Sequence, residues 1–234
     1  IKELHRRTTN VLKKLTKKYE IVYVNDCSPD NSQKVLEKLA KEDKLLTVIQ
    51  HSRNFGAQNA FTTGMKQAIG DAVVIMDGDL QDPPELIPEF VEKWLEGYDV
   101  VYGERRKREK SMGPFMEQIY HMFYVIFNKL SYVKVPLDVG DFSLMDRRVV
   151  DQMNLLPEKD RFLRGLRAWV GFKQIGIPYI RPERFSGSGV STTSVFKGLW
   201  WARRAIFSFS YEPLEWVFYT AIISIFASLF GALF

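Results

Sequence analysis

With 234 residues and 46% apolar side chains, the chain has enough material for one large α/β domain with an appendage, which excludes wholesale disorder. The 33 basic and 28 acidic residues leave a net charge of +5 on a mixed surface, and the scattered cations form no basic groove with a stacking platform, so no nucleic-acid partner is expected. A single cysteine, Cys27, rules out a disulfide framework and reads as a small buried side chain.

Leu4, Val11, Leu12 and Leu15 recur at helical spacing among basic residues, and Tyr19–Val24 follows as a short apolar strand. Asn25–Ser32 is rich in turn formers and helix caps, and Val35, Leu36 and Leu39 continue it as a helix. Leu45–Gln50 reads as a strand, Asn59–Ile69 as a helix ended by Gly70, and Asp71–Met76 as a strand running into Asp77. After Pro83-Pro84, the spacing of Leu86, Phe90, Val91, Trp94 and Leu95 predicts an amphipathic helix closed by Gly97, followed by a strand over Asp99–Tyr102. Arg105–Lys110 is a basic run, Phe115–Leu130 an apolar helix, Phe142–Met145 a strand and Asp146–Met153 a helix. Such alternation predicts a parallel sheet covered on both faces.

Past a small polar stretch, Val195–Phe209 mixes Trp200, Trp201, Ile206 and Phe207 with Lys197, Arg203 and Arg204, the composition of a helix lying in a membrane interface. Leu214–Phe234 is 21 residues long with Glu215 its only charge, which suffices to cross a bilayer. The run reaches Phe234 without a polar flank, so further membrane segments are expected beyond it. The expected domains are a catalytic domain over 1–190, an interfacial helix over 191–211 and a membrane helix over 212–234.

In a parallel α/β sheet, ligands bind beyond the carboxyl ends of the strands, where loops and helix N-termini converge. Asn25-Asp26 and Asp77-Gly78-Asp79 both follow predicted strands. Two carboxylates one residue apart can address one hard cation, Mg²⁺ or Mn²⁺, or divide their work between a cation and a sugar hydroxyl; diphosphate oxygens would complete the shell. Alone, an Asp-Gly-Asp is more often a turn than a metal site. The strand leading into it, Gln81 as a further oxygen ligand, and the helix opened by Pro83-Pro84-Glu85 favour the metal reading.

The motifs Tyr23-Val24-Asn25-Asp26-Cys27-Ser28-Pro29-Asp30-Asn31-Ser32, Arg53-Asn54-Phe55-Gly56 and Met76-Asp77-Gly78-Asp79-Leu80-Gln81-Asp82-Pro83-Pro84-Glu85 resemble those of the family 2 polyprenyl-phosphate glycosyltransferases. That group contains dolichol-phosphate mannose synthase and the bacterial undecaprenyl-phosphate glucosyltransferases. Gly103-Glu104-Arg105, Gly140-Asp141-Phe142 and Arg161-Phe162-Leu163-Arg164-Gly165 extend the resemblance, which runs from about Tyr19 into the membrane helix.

The resemblance implies a GT-A, Rossmann-like domain that inverts the anomeric centre, using a nucleotide sugar with Mg²⁺ or Mn²⁺. It further implies that Asp26 contacts the base or ribose, Asp77 the nucleotide and sugar, and Asp79 with Gln81 the metal. Arg105 would meet donor or acceptor phosphate, Arg181 and Arg184 would belong to a loop closing over the diphosphate, and Asp141 matches the proposed catalytic base. A phosphate monoester with a second pKa of about 6 is largely dianionic at neutral pH, so Asp141 alternatively orients the acceptor or sugar. Three departures stand out: Asn25 where the family commonly has Asp, no lysine in the Gly-rich segment after Arg184, and a first strand with its Pro-x-Tyr-Asn-Glu motif missing before Ile1.

Expected partners are a nucleotide sugar, a polyprenyl phosphate, the membrane and a second copy of the chain. The expected location is the cytoplasmic face of a bacterial inner membrane, in cell-envelope glycosylation. UDP-glucose is the first-choice donor and GDP-mannose the alternative. A processive polysaccharide synthase would carry a downstream Gln-x-x-Arg-Trp motif, which is absent. A catalytically silent membrane scaffold is opposed by the retention of Asp77, Asp79, Gln81 and Asp141.

Overall fold

A computed structural model describes residues 1–107, 118, 122, 125–134, 139–182, 203 and 206–231. They fall into two compact units, residues 1–112 with 138–188 and residues 113–137 with 189–234.

The first unit opens with α1 (Lys2–Leu15), which turns Leu4 and Thr8 inward and leaves most of its cations in water. A β1 (Ile21–Asn25), α2 (Ser32–Glu42), β2 (Leu46–Gln50) unit follows, its strands parallel in register from Ile21 opposite Leu46 to Asn25 opposite Gln50. Next come α3 (Ala57–Gln67), β3 (Ala72–Ile75), a 3₁₀ turn (Pro84–Leu86) and α4 (Ile87–Leu95). Then β4 (Val100–Lys107), β5 (Val139–Asp146), α5 (Arg147–Leu155), α6 (Leu163–Trp169) and β6 (Gln174–Ile180) complete it.

The sheet is not the single parallel one that periodicity predicted. β1 and β2 form one sheet, and a second has the order β3-β5-β4-β6. In it β5 runs antiparallel to both β3 and β4, while β6 is parallel to β4. An apolar run announces a strand but not its direction; β5 begins beside the end at which β4 finishes, which forces an antiparallel pair. Among the described residues β1 pairs only with β2 and β3 only with β5, and α3 packs against both β1 and β3.

The core beneath the site is built by α4. Its apolar spacing places Phe90 against Phe142 of β5, with ring centroids 4.8 Å apart, and Tyr179 of β6 meets Phe142 edge-on at 5.9 Å. Val101, Leu144 and Ile177 complete this cluster. Burying side chains of this size contributes about 1.5–3 kcal/mol each, which makes the central strands a firm base for the loops at their ends. Trp94 donates its indole N–H to Asp146 at 2.8 Å, and Gly97, at φ +92°, lets the chain leave α4 in a conformation that L side chains avoid. Cys27 departs from expectation: it is exposed, at φ 56° in the loop after β1.

In the second unit residues 125–130 are helical. Phe127 is buried against Phe209, the Tyr132 N–H donates to the Phe209 carbonyl at 3.1 Å, and Tyr132 stacks on Tyr211. Ser210 Oγ accepts the Glu212 N–H at 3.2 Å and so caps α7 (Glu212–Gly231), a 20-residue helix with none of its residues buried and a mean hydropathy of 1.6 over its most apolar 18-residue stretch. By length and composition α7 can cross a membrane. Most of the expected interfacial helix, 191–211, lies outside the described residues, as does much of 115–130.

Candidate active site

Asp26 sits where β1 ends. Its Oδ1 accepts from His51 Nδ1 and from the Phe55 N–H, both at 2.8 Å, and its Oδ2 accepts the Gly56 N–H at 2.7 Å. With Nδ1 donating, His51 Nε2 accepts the Thr63 hydroxyl at 2.9 Å. Burial pushes the Asp26 carboxyl up, but the Phe55, His51 and Gly56 donors outweigh it and hold the group below its ordinary value. Asp26 therefore ties the ends of β1 and β2 to the start of α3. Asn25 beside it is buried and organises its own loop, donating to Gln33 at 2.9 Å and accepting the Ser28 N–H at 3.1 Å.

The loop after β3 is held from within. Asp82, almost wholly buried, accepts the Asp77 N–H at 3.2 Å and the Tyr179 hydroxyl at 2.9 Å. Asp79 accepts the Gln81 N–H at 3.1 Å, buried Gln81 donates to the Pro182 carbonyl at 3.4 Å, and Leu80 adopts a left-handed φ of 65°. Asp77 is 38% exposed, with Arg181 Nη2 3.6 Å from its Oδ2. Burial, followed by the charges of Asp82, Asp141 and Asp79, pushes its carboxyl up to about 6 against the pull of Arg181.

Asp141 lies on β5 next to this loop, since the antiparallel register that pairs Ile75 with Ser143, continued two residues past the end of β3, brings Asp77 toward Asp141. Arg164 Nε donates to its Oδ1 and Nη2 to its Oδ2, each at 3.1 Å, and Gln58 Nε2 donates to Oδ2 at 3.0 Å. Burial raises its pKa, yet Arg164, Arg167 and Gln58 overcome that and keep it below the usual carboxylate range. Arg167 is buried over the Tyr102 ring at 4.9 Å, and that burial brings its pKa down to about 10.

Arg105 extends along β4 with its guanidinium against Gly140, where a Cβ would lie 2.6 Å from Nη2, and its Nε 3.5 Å from the Tyr179 hydroxyl. Arg184 lies outside the described residues. The start of α3 draws the rest together: Phe55 and Gly56 reach Asp26, and Gln58 reaches Asp141. Asp26, Asp77, Asp79, Gln81 and Asp141 are thus gathered around one end of the strands, joined by Arg164, Gln58, Asp82 and Tyr179, to which the sequence had assigned no role. A cavity of about 350 Å³ lined by α1 and Glu85 contains none of these residues.

Residues 1–153 match the family described as Glycosyl transferase family 2. The chain belongs to glycosyl transferase family 2. The uncharacterized glycosyltransferase YkcC of Bacillus subtilis (strain 168) is 44% identical over 223 residues, covering 95% of this chain and 68% of that protein. The bactoprenol glucosyl transferase of Shigella phage SfV is 39% identical over 217 residues, covering 91% and 69%. Among solved structures, the mannosyltransferase PcManGT from Pyrobaculum calidifontis, in complex with GDP-Man and Mn²⁺, aligns with a TM-score of 0.48 and 22% identity over 73% of this chain and 49% of that one. As a member of the family the chain is a glycosyltransferase with a GT-A-like α/β domain.

The residues that could hold a cation are Asp79, through its carboxylate, and Gln81, through its carboxamide oxygen, both hard oxygen ligands on one loop with the Asp77 carboxylate beside them. Among the described residues no three His, Cys, Asp or Glu side chains converge into a cation cage. Mg²⁺ sites in such enzymes take one or two carboxylates and complete the shell with substrate phosphate and water, so the residues present fit the ion. The raised pKa of Asp77 fits it as well, because crowded carboxylates are relieved by positive charge.

Proposed function

We propose that this chain transfers a hexose, glucose from UDP-glucose, to polyprenyl phosphate at a membrane surface, with inversion and with Mg²⁺ or Mn²⁺ held by Asp79 and Gln81. The observation that carries the reading is the meeting of the crowded Asp77 loop with the arginine-bound Asp141 in a family 2 chain. The relatives named bactoprenol glucosyl transferase support both the glucosyl group and the lipid acceptor. The length and apolarity of α7 support anchoring beside that lipid. The catalytic domain is 1–190, joined through the interfacial segment 191–211 to a membrane helix over 212–234 at the cytoplasmic face of a bacterial inner membrane.

In this mechanism Asp77 and Asp26 hold the nucleotide and sugar, and Arg181 and Arg184 the diphosphate. Arg181 Nε supports that role, being buried without a hydrogen-bond partner among the described residues, which an anionic donor group would satisfy. The bound cation supplies positive charge to the departing diphosphate. Arg105 meets the acceptor phosphate, which is already largely dianionic and attacks the anomeric carbon without needing a strong base. Asp141, held ionised by Arg164, orients the sugar or acceptor. The test presents the detergent-solubilised protein with UDP-glucose, GDP-mannose and other labelled nucleotide sugars together with polyprenyl phosphate. Lipid-borne label from UDP-glucose alone is expected; label from GDP-mannose alone would replace the donor assignment.

A further inference from the structure

We infer that Gln58 is a positioning residue of the transfer reaction, a single carboxamide that locks Asp141 and the start of α6 into one geometry. The inference rests on the reading of Asp141 as part of the glycosyl-transfer site. Gln58 lies in the first turn of α3 and is only 9% exposed. Its Nε2 donates to Asp141 Oδ2 at 3.0 Å, and its Oε1 accepts the Leu163 N–H at 2.8 Å. Leu163 is the first residue of α6, and its N-cap Phe162 has no side chain able to take up the N–H groups that a helix start leaves unpaired. Gln58 supplies that acceptor from α3. The next residue, Arg164, is the one that grips Asp141.

An ionised carboxylate offers about four acceptor sites. Arg164 occupies two on Asp141 and Gln58 a third, which leaves about one for a substrate hydroxyl or acceptor group. Only a primary amide of this length can accept from Leu163 and donate to Asp141 at once without adding charge. Glutamate at this position would still accept the Leu163 N–H but would set a second carboxylate against Asp141. Methionine would fill the space and do neither. The charged groups facing Asp141 are Arg164 and Arg167 from α6 and Asp77 beyond β3, with Gln58 the neutral member.

The experiment compares full-length wild type, Gln58→Met and Gln58→Glu in kcat, KM for the nucleotide sugar, the pH profile of kcat, and Tm between pH 3 and 8. Loss of one hydrogen bond to a charged group predicts a kcat lower by about tenfold in Gln58→Met and by more in Gln58→Glu. Donor KM stays within about twofold, and the acidic limb moves to higher pH, most in Gln58→Glu. The acid-side fall of Tm becomes shallower in Gln58→Met, and in Gln58→Glu Tm falls instead as pH rises, because the two carboxylates hold a shared proton more tightly in the folded state, a readout independent of turnover. A role confined to packing or to seating α6 would leave Gln58→Glu with the wild-type kcat and pH profile, and that result overturns the inference. Absence of lipid product from wild type with every donor would instead remove the proposed function, while the Tm profiles would still decide whether Gln58 holds Asp141.

Discussion

Arg164 meets Asp141 edge to edge, its Nε and Nη2 each 3.1 Å from a different carboxylate oxygen. This fork geometry is the strongest pairing available to a carboxylate, and both partners are mostly shielded, the side chains 24% and 12% exposed. Removing one partner strands the other, so Arg164→Met is expected to lose about 3–5 kcal/mol, and Arg164→Met combined with Asp141→Asn to recover much of it. The pH dependence has a definite sign. The folded-state pKa of Asp141 is depressed, so its stabilisation is present above the unfolded value of about 3.9 and is lost as pH falls through the folded one. Thermal melts from pH 7 down to pH 3 should fall more steeply for wild type than for Asp141→Asn.

Asp77 carries the opposite sign. With a folded pKa of about 6 and an unfolded one of about 3.9, the folded protein binds more protons in that interval and loses stability as pH rises through it. Without donor, Asp77→Asn is expected to melt higher than wild type at pH 7.5 and at the same temperature near pH 4, and to lose transfer activity. A variant that melts lower at pH 7.5 would mean that Arg181 outweighs the neighbouring carboxylates.

Gly140 gives access to Arg105 without touching it. An alanine Cβ there would lie 2.6 Å from Nη2 and 3.1 Å from Cζ of Arg105. The guanidinium is the free end of a flexible chain and will move before the strand does. Gly140→Ala should therefore keep its Tm within a few degrees while lowering kcat/KM toward the level of Arg105→Ala. Combining the two substitutions should add little, as expected of residues acting as one unit.

Much of this site was legible where one segment carried its own signal. The β3 strand running into Asp77, the turn that follows it and the proline-opened α4 are local features, and they fell close to where spacing put them. Strand direction was not legible, because β5 pairs antiparallel only through a long return of the chain. Two elements, α6 and β6, went unassigned: α6 is seven residues long, and Pro178 and two glycines at its borders and within β6 blur the alternation. Gln58 could not have been found, since a glutamine in a first helical turn is an ordinary helix former and its partners lie 83 and 105 residues away. Arg164 and Asp82 stood inside recognised motifs, but only their contacts assign them work.

In the proposed reaction the sugar passes to a lipid phosphate. The most direct measurement incubates the detergent-solubilised protein with UDP-[¹⁴C]glucose, Mg²⁺ and undecaprenyl phosphate and partitions the label between organic and aqueous phases. Label in the organic phase as a glucosyl phosphoryl lipid, absent with Asp79→Asn and absent without the lipid phosphate, is the predicted result. Free glucose in the aqueous phase at the same rate with and without the lipid would contradict it.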